Sequence, residues 1–149
     1  MILIAYRHAL RVSELISLRW DAIDLTKGFV HINRLKNGRR HTPAFGTRDP
    51  RPTSTETLKR EYSDTPHVFV SERGGPMPTS NVRKVLTRAG EGLGMPIHPH
   101  MLRHGCGFKL ANQGIDTRSI QAFMGHSSIA STVIYTEIAP QRFKDFWKD

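Results

Sequence analysis

The chain has 149 residues, of which 38% are hydrophobic, enough for one domain with its own core. Lys and Arg outnumber Asp and Glu by 22 to 13, giving a formal net charge of +9. This excess favours a polyanionic partner, most often nucleic acid, over a merely basic surface. The single cysteine, Cys106, excludes an internal disulfide and favours a reducing cytoplasm. The apolar N-terminal run ends at Tyr6, far short of the roughly 20 residues that cross a bilayer, so no membrane partner is expected.

The N-terminal half is predicted to hold two helical segments followed by a β-hairpin. Asn37-Gly38 is the strongest short hairpin signal in the chain, because both residues tolerate positive φ. The elements predicted for this half are helices over 2–9 and 12–20, a turn over 21–27, strands over 29–35 and 39–45, a short helix near 55–62 and a small buried strand over 67–70.

The C-terminal half is predicted to be helical throughout. Pro99 fits the first position of a helix, and Gly114 and Gly125 fit helix ends. The predicted helices cover residues 79–89, 99–113, 117–124, a segment from 127 or 128 that carries Tyr135, and 141–148. The fold class predicted is mainly α with a small antiparallel β-sheet (α+β), in one domain over 1–149.

Three residues of the 99–113 helix have the chemistry to handle a phosphodiester. His100 and Arg103 share a helix face, and His104 lies close by. A guanidinium binds two phosphate oxygens at once, and an imidazole moves a proton near neutral pH. The His-x-x-Arg pattern alone is weak, however, since it is also typical of a solvated helix face.

Further candidates are spread along the chain, and each also has a simpler interpretation. Arg11 precedes an apolar helix but is also placed to pair with Glu14. His126, between a glycine and a serine, is equally a helix cap, and Tyr135 is equally a core residue. Taken singly, each simpler interpretation is favoured. The ordered combination of these residues indicates an attack on a DNA phosphate by a phenol.

This combination resembles the catalytic domain of the tyrosine recombinases, also called phage integrases. Lys36, just before the hairpin turn, matches the lysine of that family's strand turn. The resemblance covers nearly the whole chain and rests on three sequence boxes. The first box is residues 9–15 and 18–21, the second is residues 98–104, and the third is residues 120–128 and 132–136. Residues 6–8, 33–36 and 98–108 are most similar to the fimbrial phase-variation recombinases, which invert a promoter segment.

The resemblance implies site-specific DNA recombination, by inversion or integration, through a 3′-phosphotyrosyl intermediate. The implied site residues are Arg11, Lys36, His100, Arg103, His126 and Tyr135. Tyr135 is the expected nucleophile, the two arginines are expected to clamp the non-bridging oxygens, and His126 to add a hydrogen bond there. His100 is expected to help deprotonate the tyrosine, and Lys36 to protonate the leaving 5′-oxygen. No cofactor, metal or ATP is expected, because fixed cations stabilise the transition state and the phosphotyrosine conserves the bond.

Three features depart from the family pattern or extend it. The first box begins almost at Met1, so the N-terminal DNA-binding domain and the start of the catalytic domain are expected to be absent. Ala9 stands where the family usually has glycine, which predicts strain in the turn before Arg11. The tail carries Phe143 and Trp147; in the family such a tail often docks on a neighbouring protomer of a tetramer on double-stranded DNA, although packing on its own domain is the alternative.

Other interpretations stay open at this point. Residues 100–113 and 117–124, joined by a glycine turn, also fit a helix-turn-helix DNA reader. His98, His100, His104 and Cys106 lie close enough in sequence to suggest zinc. A type IB topoisomerase uses the same tyrosine chemistry without a defined site. A truncated integrase that is defective in recombination is a further alternative.

Overall fold

The computed structural model describes residues 1–24, 26–27, 29–34, 40–41 and 64–137. Within these ranges the chain forms α-helices, four two-residue strands and one short 3₁₀ turn over Trp20–Ala22. The helices are α1 (Ile2–Arg7), α2 (Val12–Ile16), α3 (Thr79–Glu91), α4 (Pro99–Asn112), α5 (Thr117–Met124) and α6 (Ala130–Glu137). The strands are β1 (Ile23–Asp24), β2 (Phe29–Val30), β3 (Ile32–Asn33) and β4 (Arg40–His41). The mainly helical fold class with a small antiparallel sheet is confirmed.

Helices α4 and α5 begin and end at residues whose local chemistry dictates the boundary. Pro99 is the first residue of α4, where its missing N–H leaves no partner unsatisfied. Asp116 caps α5 by accepting a hydrogen bond from the Ser119 amide at 3.0 Å. Gly125 ends α5 with a φ of 65°, in the left-handed region that favours glycine. The predictions for both helices are confirmed.

The predicted hairpin is confirmed by the pairing of β3 with β4. The two strands run antiparallel, with Ile32 opposite His41. Val30 and Ile32 are both buried, as the two-residue period of a strand predicts. The predicted turn at residues 37–38, the helix near 55–62 and the helix over 141–148 lie outside the described residues.

Two predictions in the N-terminal half are only partly right, because strand pairing depends on a partner segment and not on the local sequence alone. The segment 21–27, predicted as a turn, contains β1, in which Ile23 pairs with Val30 of β2. The segment 67–70, predicted as a strand, makes only isolated bridges. Helix α2 also ends earlier than predicted, since the Val68 amide donates to the Leu18 carbonyl at 2.9 Å.

The core consists of two clusters on either side of α4. One cluster packs α1, α2 and α3 together through residues that include Leu15, Val82 and Leu86. The other contains Ile120 and Tyr135 and lies among α4, α5 and α6. Helix α4 contacts α1, α3, α5 and α6, so residues on different sides of this helix meet different parts of the chain. None of the described helices is both long enough and apolar enough to cross a membrane.

Ala9 has a φ of 49° and is the only non-glycine residue in the described ranges with positive φ. The strain predicted for the turn before Arg11 is therefore present, because a Cβ in the left-handed region costs about 1–2 kcal/mol. The turn is held in place through its carbonyl oxygen, which accepts hydrogen bonds from Arg34 and Arg103.

Replacing Ala9 with glycine is expected to be far less destabilising than the same change at Ala5. Both alanines are buried, and each change removes one buried methyl group. Ala9→Gly relieves the left-handed strain, whereas Ala5→Gly puts a glycine inside α1, which itself costs about 0.5–1 kcal/mol. The free energy of unfolding of Ala9→Gly should therefore exceed that of Ala5→Gly by about 1.5–3 kcal/mol. Urea unfolding of the two variants gives the difference directly. Equal stability of the two variants would show that Ala9 is unstrained.

Candidate active site

Arg11 is positioned by the start of α2. Its backbone amide donates to Glu14 Oε2 at 2.8 Å, and its Nη1 donates to Glu14 Oε1 at 2.8 Å. Its Nη2 reaches the Gly125 carbonyl oxygen at 3.5 Å. The salt bridge considered from the sequence is therefore present, and it directs the guanidinium towards the loop that carries His126.

Arg103 lies on α4 and is 5% exposed. Its guanidinium donates to the Ala9 carbonyl oxygen, and its Nη2 donates to the Met124 carbonyl oxygen at 2.7 Å. Burial, followed by the charges of Arg11 and Arg34, lowers the pKa of Arg103 to about 10. The group thus stays cationic at neutral pH, and it joins α4 to the turn after α1 and to the end of α5.

Glu14 and Arg34 form a buried ion pair that the sequence analysis missed. Arg34 Nη1 donates to Glu14 Oε2 at 2.7 Å, and both side chains are 1% exposed. Burial acts to raise the pKa of Glu14, but the Arg11 amide and the charges of Arg34 and Arg11 outweigh it and hold that pKa below its usual value. Glu14 is therefore an ionised carboxylate shared between two arginines.

Arg11, His100 and Arg103 line one cleft of about 600 Å³ between α2, α3 and the start of α4. Arg83 and His98 line it too. No Asp or Glu of the described ranges lines this cleft. A concave surface of this charge suits a phosphate-bearing ligand.

Tyr135 lies on α6 with 1% of its surface exposed. Phe108 meets its ring edge-on, with 5.1 Å between ring centroids. A Cβ on Gly107 would come within 2.8 Å of the Tyr135 ring, so glycine at this point of α4 makes room for the phenol. Burial raises the pKa of Tyr135, and the charge of Arg103 opposes this only in part. The hydroxyl is protonated at neutral pH and needs a base before it can act as a nucleophile.

His104, and not His100, makes the contact with the Tyr135 hydroxyl. Its Nδ1 lies 2.8 Å from that oxygen. The His100 ring lies 6.3 Å from the His104 ring and faces the cleft instead. Burial, then the charges of His100, Arg103 and His98, lower the pKa of His104. A neutral imidazole at this position can accept the hydroxyl proton.

His126 stacks on Tyr135, with 6.3 Å between ring centroids and 20° between ring planes. Its Nδ1 lies 2.8 Å from Thr132 Oγ1. Burial, then the charges of Arg103, Arg11 and Arg34, lower the pKa of His126 to about 4. At neutral pH the ring is uncharged, so one ring nitrogen carries a proton and the other is an acceptor.

Replacing His126 with glutamine is expected to make the fold less sensitive to acid. Between the ordinary pKa of 6.5 and the folded value of about 4, the unfolded chain binds a proton that the folded chain does not. Stability therefore falls as the pH drops through this window, and His126→Gln removes that contribution. Urea unfolding at about pH 7 and about pH 5 measures the slope. A His126→Gln variant that keeps the wild-type slope would contradict the lowered pKa assigned to His126.

The structure thus brings together most of the residues singled out from the sequence. Arg11, Arg103 and His100 share the cleft, and His126 contacts Tyr135. Lys36 lies outside the described residues, so its role stays a prediction. No three His, Cys, Asp or Glu side chains within the described part of the chain are grouped as metal ligands. Burial raises the pKa of the Cys106 thiol to about 11.

Two arginines, an uncharged histidine and a buried tyrosine thus lie together on a mainly helical fold, and their chemistry suits a phosphodiester. Comparison with known proteins agrees. The model of the phage integrase family matches residues 1–142. The Escherichia coli K12 type 1 fimbriae regulatory protein FimE is 39% identical over 154 residues, covering 99% of this chain and 78% of FimE. FimB of the same strain is 40% identical, covering 97% and 75%. The chain therefore belongs to the phage integrase family, and its similarity to the fimbrial proteins is confirmed.

More distant relatives share the fold. Tyrosine recombinase XerA of Pyrococcus furiosus is 33% identical, covering 97% of this chain and 51% of XerA. A crystal structure of XerA recombinase has a TM-score of 0.79 at 24% identity, covering 95% of this chain and 53% of that one. XerH site-specific recombinase bound to difH substrate in a post-cleavage complex has a TM-score of 0.76 at 21% identity, covering 97% and 43%.

Proposed function

We propose that this chain is the catalytic domain of a site-specific recombinase that cuts and rejoins DNA through a covalent link to Tyr135. One observation carries the proposal: adjacent residues of α4 serve the two halves of the chemistry. Arg103 lines the cationic cleft, and His104 contacts the Tyr135 hydroxyl. A phosphate held by the arginines would thus lie near a phenol that already has a proton acceptor.

The reaction proceeds by transfer of the phosphate from one oxygen to another. The Tyr135 hydroxyl proton passes to His104 Nδ1, and the phenolate oxygen forms a bond to phosphorus. The bond from phosphorus to the 5′-oxygen breaks, and Lys36 supplies the proton to that oxygen. Arg11 and Arg103 stabilise the charge that develops on the non-bridging oxygens, a contribution that dominates such transfers. Attack by a new 5′-hydroxyl reverses the steps and reseals a strand.

Access to Tyr135 sets the order of events. Because Tyr135 is 1% exposed, its hydroxyl cannot meet a phosphate in the packing that the structure shows. We therefore place an opening of the packing among His104, Phe108 and His126 before the attack, with the energy supplied by DNA binding.

Double-stranded DNA is the proposed partner. The net charge of +9 and the cationic cleft support it, and XerH, which shares the fold, is a site-specific recombinase bound to its difH substrate. A helix-turn-helix reader would give Tyr135 and Arg11 no role, and the family match favours a recombinase over a type IB topoisomerase. Assembly as a tetramer on DNA is part of the proposal, and the tail expected to join protomers lies outside the described residues.

Trapping on nicked DNA tests the proposal. Duplexes with randomised sequence around a nick lose a short fragment after cleavage, so the protein stays attached. We expect adducts that survive detergent, that form in the presence of a chelator and without ATP, and whose sequencing reveals a preferred site. Failure to form any adduct at any sequence would contradict the proposed function.

A further inference from the structure

We propose that Arg34 is a positioning residue that keeps Arg11 electrostatically available to phosphate by neutralising Glu14. This inference rests on the proposed function. Arg34 touches neither the cleft nor the tyrosine, and its effect passes through Glu14 to the arginine that lines the cleft.

The contacts of Arg34 place it at the junction of the segments that form the site. Its Nη2 donates to the His8 carbonyl oxygen at 3.1 Å and to the Phe123 carbonyl oxygen at 2.7 Å. Its side chain packs so closely against Gly125 that a Cβ there would lie 2.7 Å from it. Arg11 comes shortly after His8 in the chain, and His126 comes shortly after Phe123. Arg34 therefore joins the turn after α1 to the end of α5.

Arg34 has an electrostatic role in addition to its structural role of joining these two segments. Glu14 is buried and accepts hydrogen bonds from both Arg11 and Arg34. With Arg11 as its sole partner, Glu14 would cancel the charge of Arg11, and a neutral pair would face the cleft. Arg34 supplies the second positive charge, so the three residues together keep a net charge of one. Because screening is weak in a buried setting, this one positive charge attracts a nearby anion strongly.

A double variant separates the electrostatic role from a structural one. Arg34→Met is expected to slow adduct formation on the selected nicked duplex by about 100-fold. Adding Glu14→Gln removes the carboxylate that cancels Arg11 and leaves an amide oxygen to hold it. The double variant should recover to within about tenfold of wild type. If the double variant is as slow as Arg34→Met or slower, Arg34 is a structural tie and the proposal is overturned.

Two further measurements keep the result interpretable. Arg34→Lys retains the charge with fewer donors, so it should fold even if Arg34→Met does not, and should lie within about tenfold of wild type. A loss of about 100-fold or more in Arg34→Lys would also overturn the proposal. The salt dependence of binding to a random-sequence duplex is measured without cleavage. The slope of the logarithm of the binding constant against the logarithm of the salt concentration should become shallower by about one in Arg34→Met and return to the wild-type value in the double variant. An unchanged slope counts against the proposal, whereas absence of adduct in the wild type counts against the proposed function alone.

Discussion

Tyr135→Phe is expected to abolish the covalent DNA adduct while leaving the fold in place. The change removes only the hydroxyl oxygen, which is the attacking atom, so no slower route through the same site remains. The ring keeps its packing against Gly107 and Phe108, and the lost hydrogen bond to His104 costs about 1 kcal/mol. The measurement is the amount of detergent-resistant adduct on the nicked duplex, together with thermal unfolding of the variant.

Tyr6→Phe is the matched control for this change. Tyr6 also packs against α4, where a Cβ on Gly105 would lie 3.3 Å from its ring, whereas the hydrogen bond to His104 is made by Tyr135. Adduct formation by Tyr6→Phe should equal that of wild type. If Tyr135→Phe still forms the adduct, another residue is the nucleophile and the mechanism is wrong.

Arg103→Lys is expected to have the second-largest effect, slowing adduct formation by at least about 100-fold. Lysine keeps the positive charge but lacks the planar fork that binds the Ala9 and Met124 carbonyl oxygens at once while facing a phosphate. At least one of these two charge-assisted hydrogen bonds is lost, which should also lower the free energy of unfolding by about 1.5–3 kcal/mol.

Single-turnover adduct formation and urea unfolding measure the two effects of Arg103→Lys separately. Arg118→Lys is the control, because Arg118 is an exposed arginine on α5 whose partner is Gln121 at 3.3 Å. Both quantities should stay close to wild type in that control. An Arg103→Lys variant with wild-type kinetics would show that geometry at this position is unimportant and that a point charge suffices.

The sequence predicts the fold best where a single residue determines the local backbone. Pro99, Asp116 and Gly125 each act through their own conformational limits or a nearby hydrogen bond, so the boundaries of α4 and α5 are predictable. Strand β1 and the segment 67–70 are different, because what each forms depends on pairing with a second segment: β2 for β1, and Arg19 and Pro76 for the bridges of His67 and Val70. No local pattern reveals which partner such a short segment takes.

The candidate site, like the fold, is predictable only in part from the sequence. The residue types and their order predict which side chains could act on a phosphate, and the structure brings Arg11 and Arg103 into one cleft. His100 and His104 are both one helical turn or less from Arg103, so spacing alone cannot tell which one meets Tyr135. The packing of α6 against α4 decides in favour of His104.

Arg34 is a missed residue for which the sequence does contain a signal. It follows Val30 and Ile32 at two-residue spacing, which places a charged side chain on the buried face of a strand. A buried arginine requires a carboxylate or several carbonyl partners, so this pattern predicts a polar junction. The sequence does not show that Glu14 is the partner, because β1, β2 and β3 lie between the two residues in the chain.

The chemical identity of the DNA-linked residue tests the central claim most directly. Adduct formed by the wild-type chain is digested with nuclease and protease, and the modified peptide is sequenced by mass spectrometry. We predict one nucleotide-bearing peptide that includes residues 130–137, with the phosphate on the oxygen of Tyr135. Linkage to any other residue, Tyr6 and Tyr62 included, would contradict the role of Tyr135 as the nucleophile.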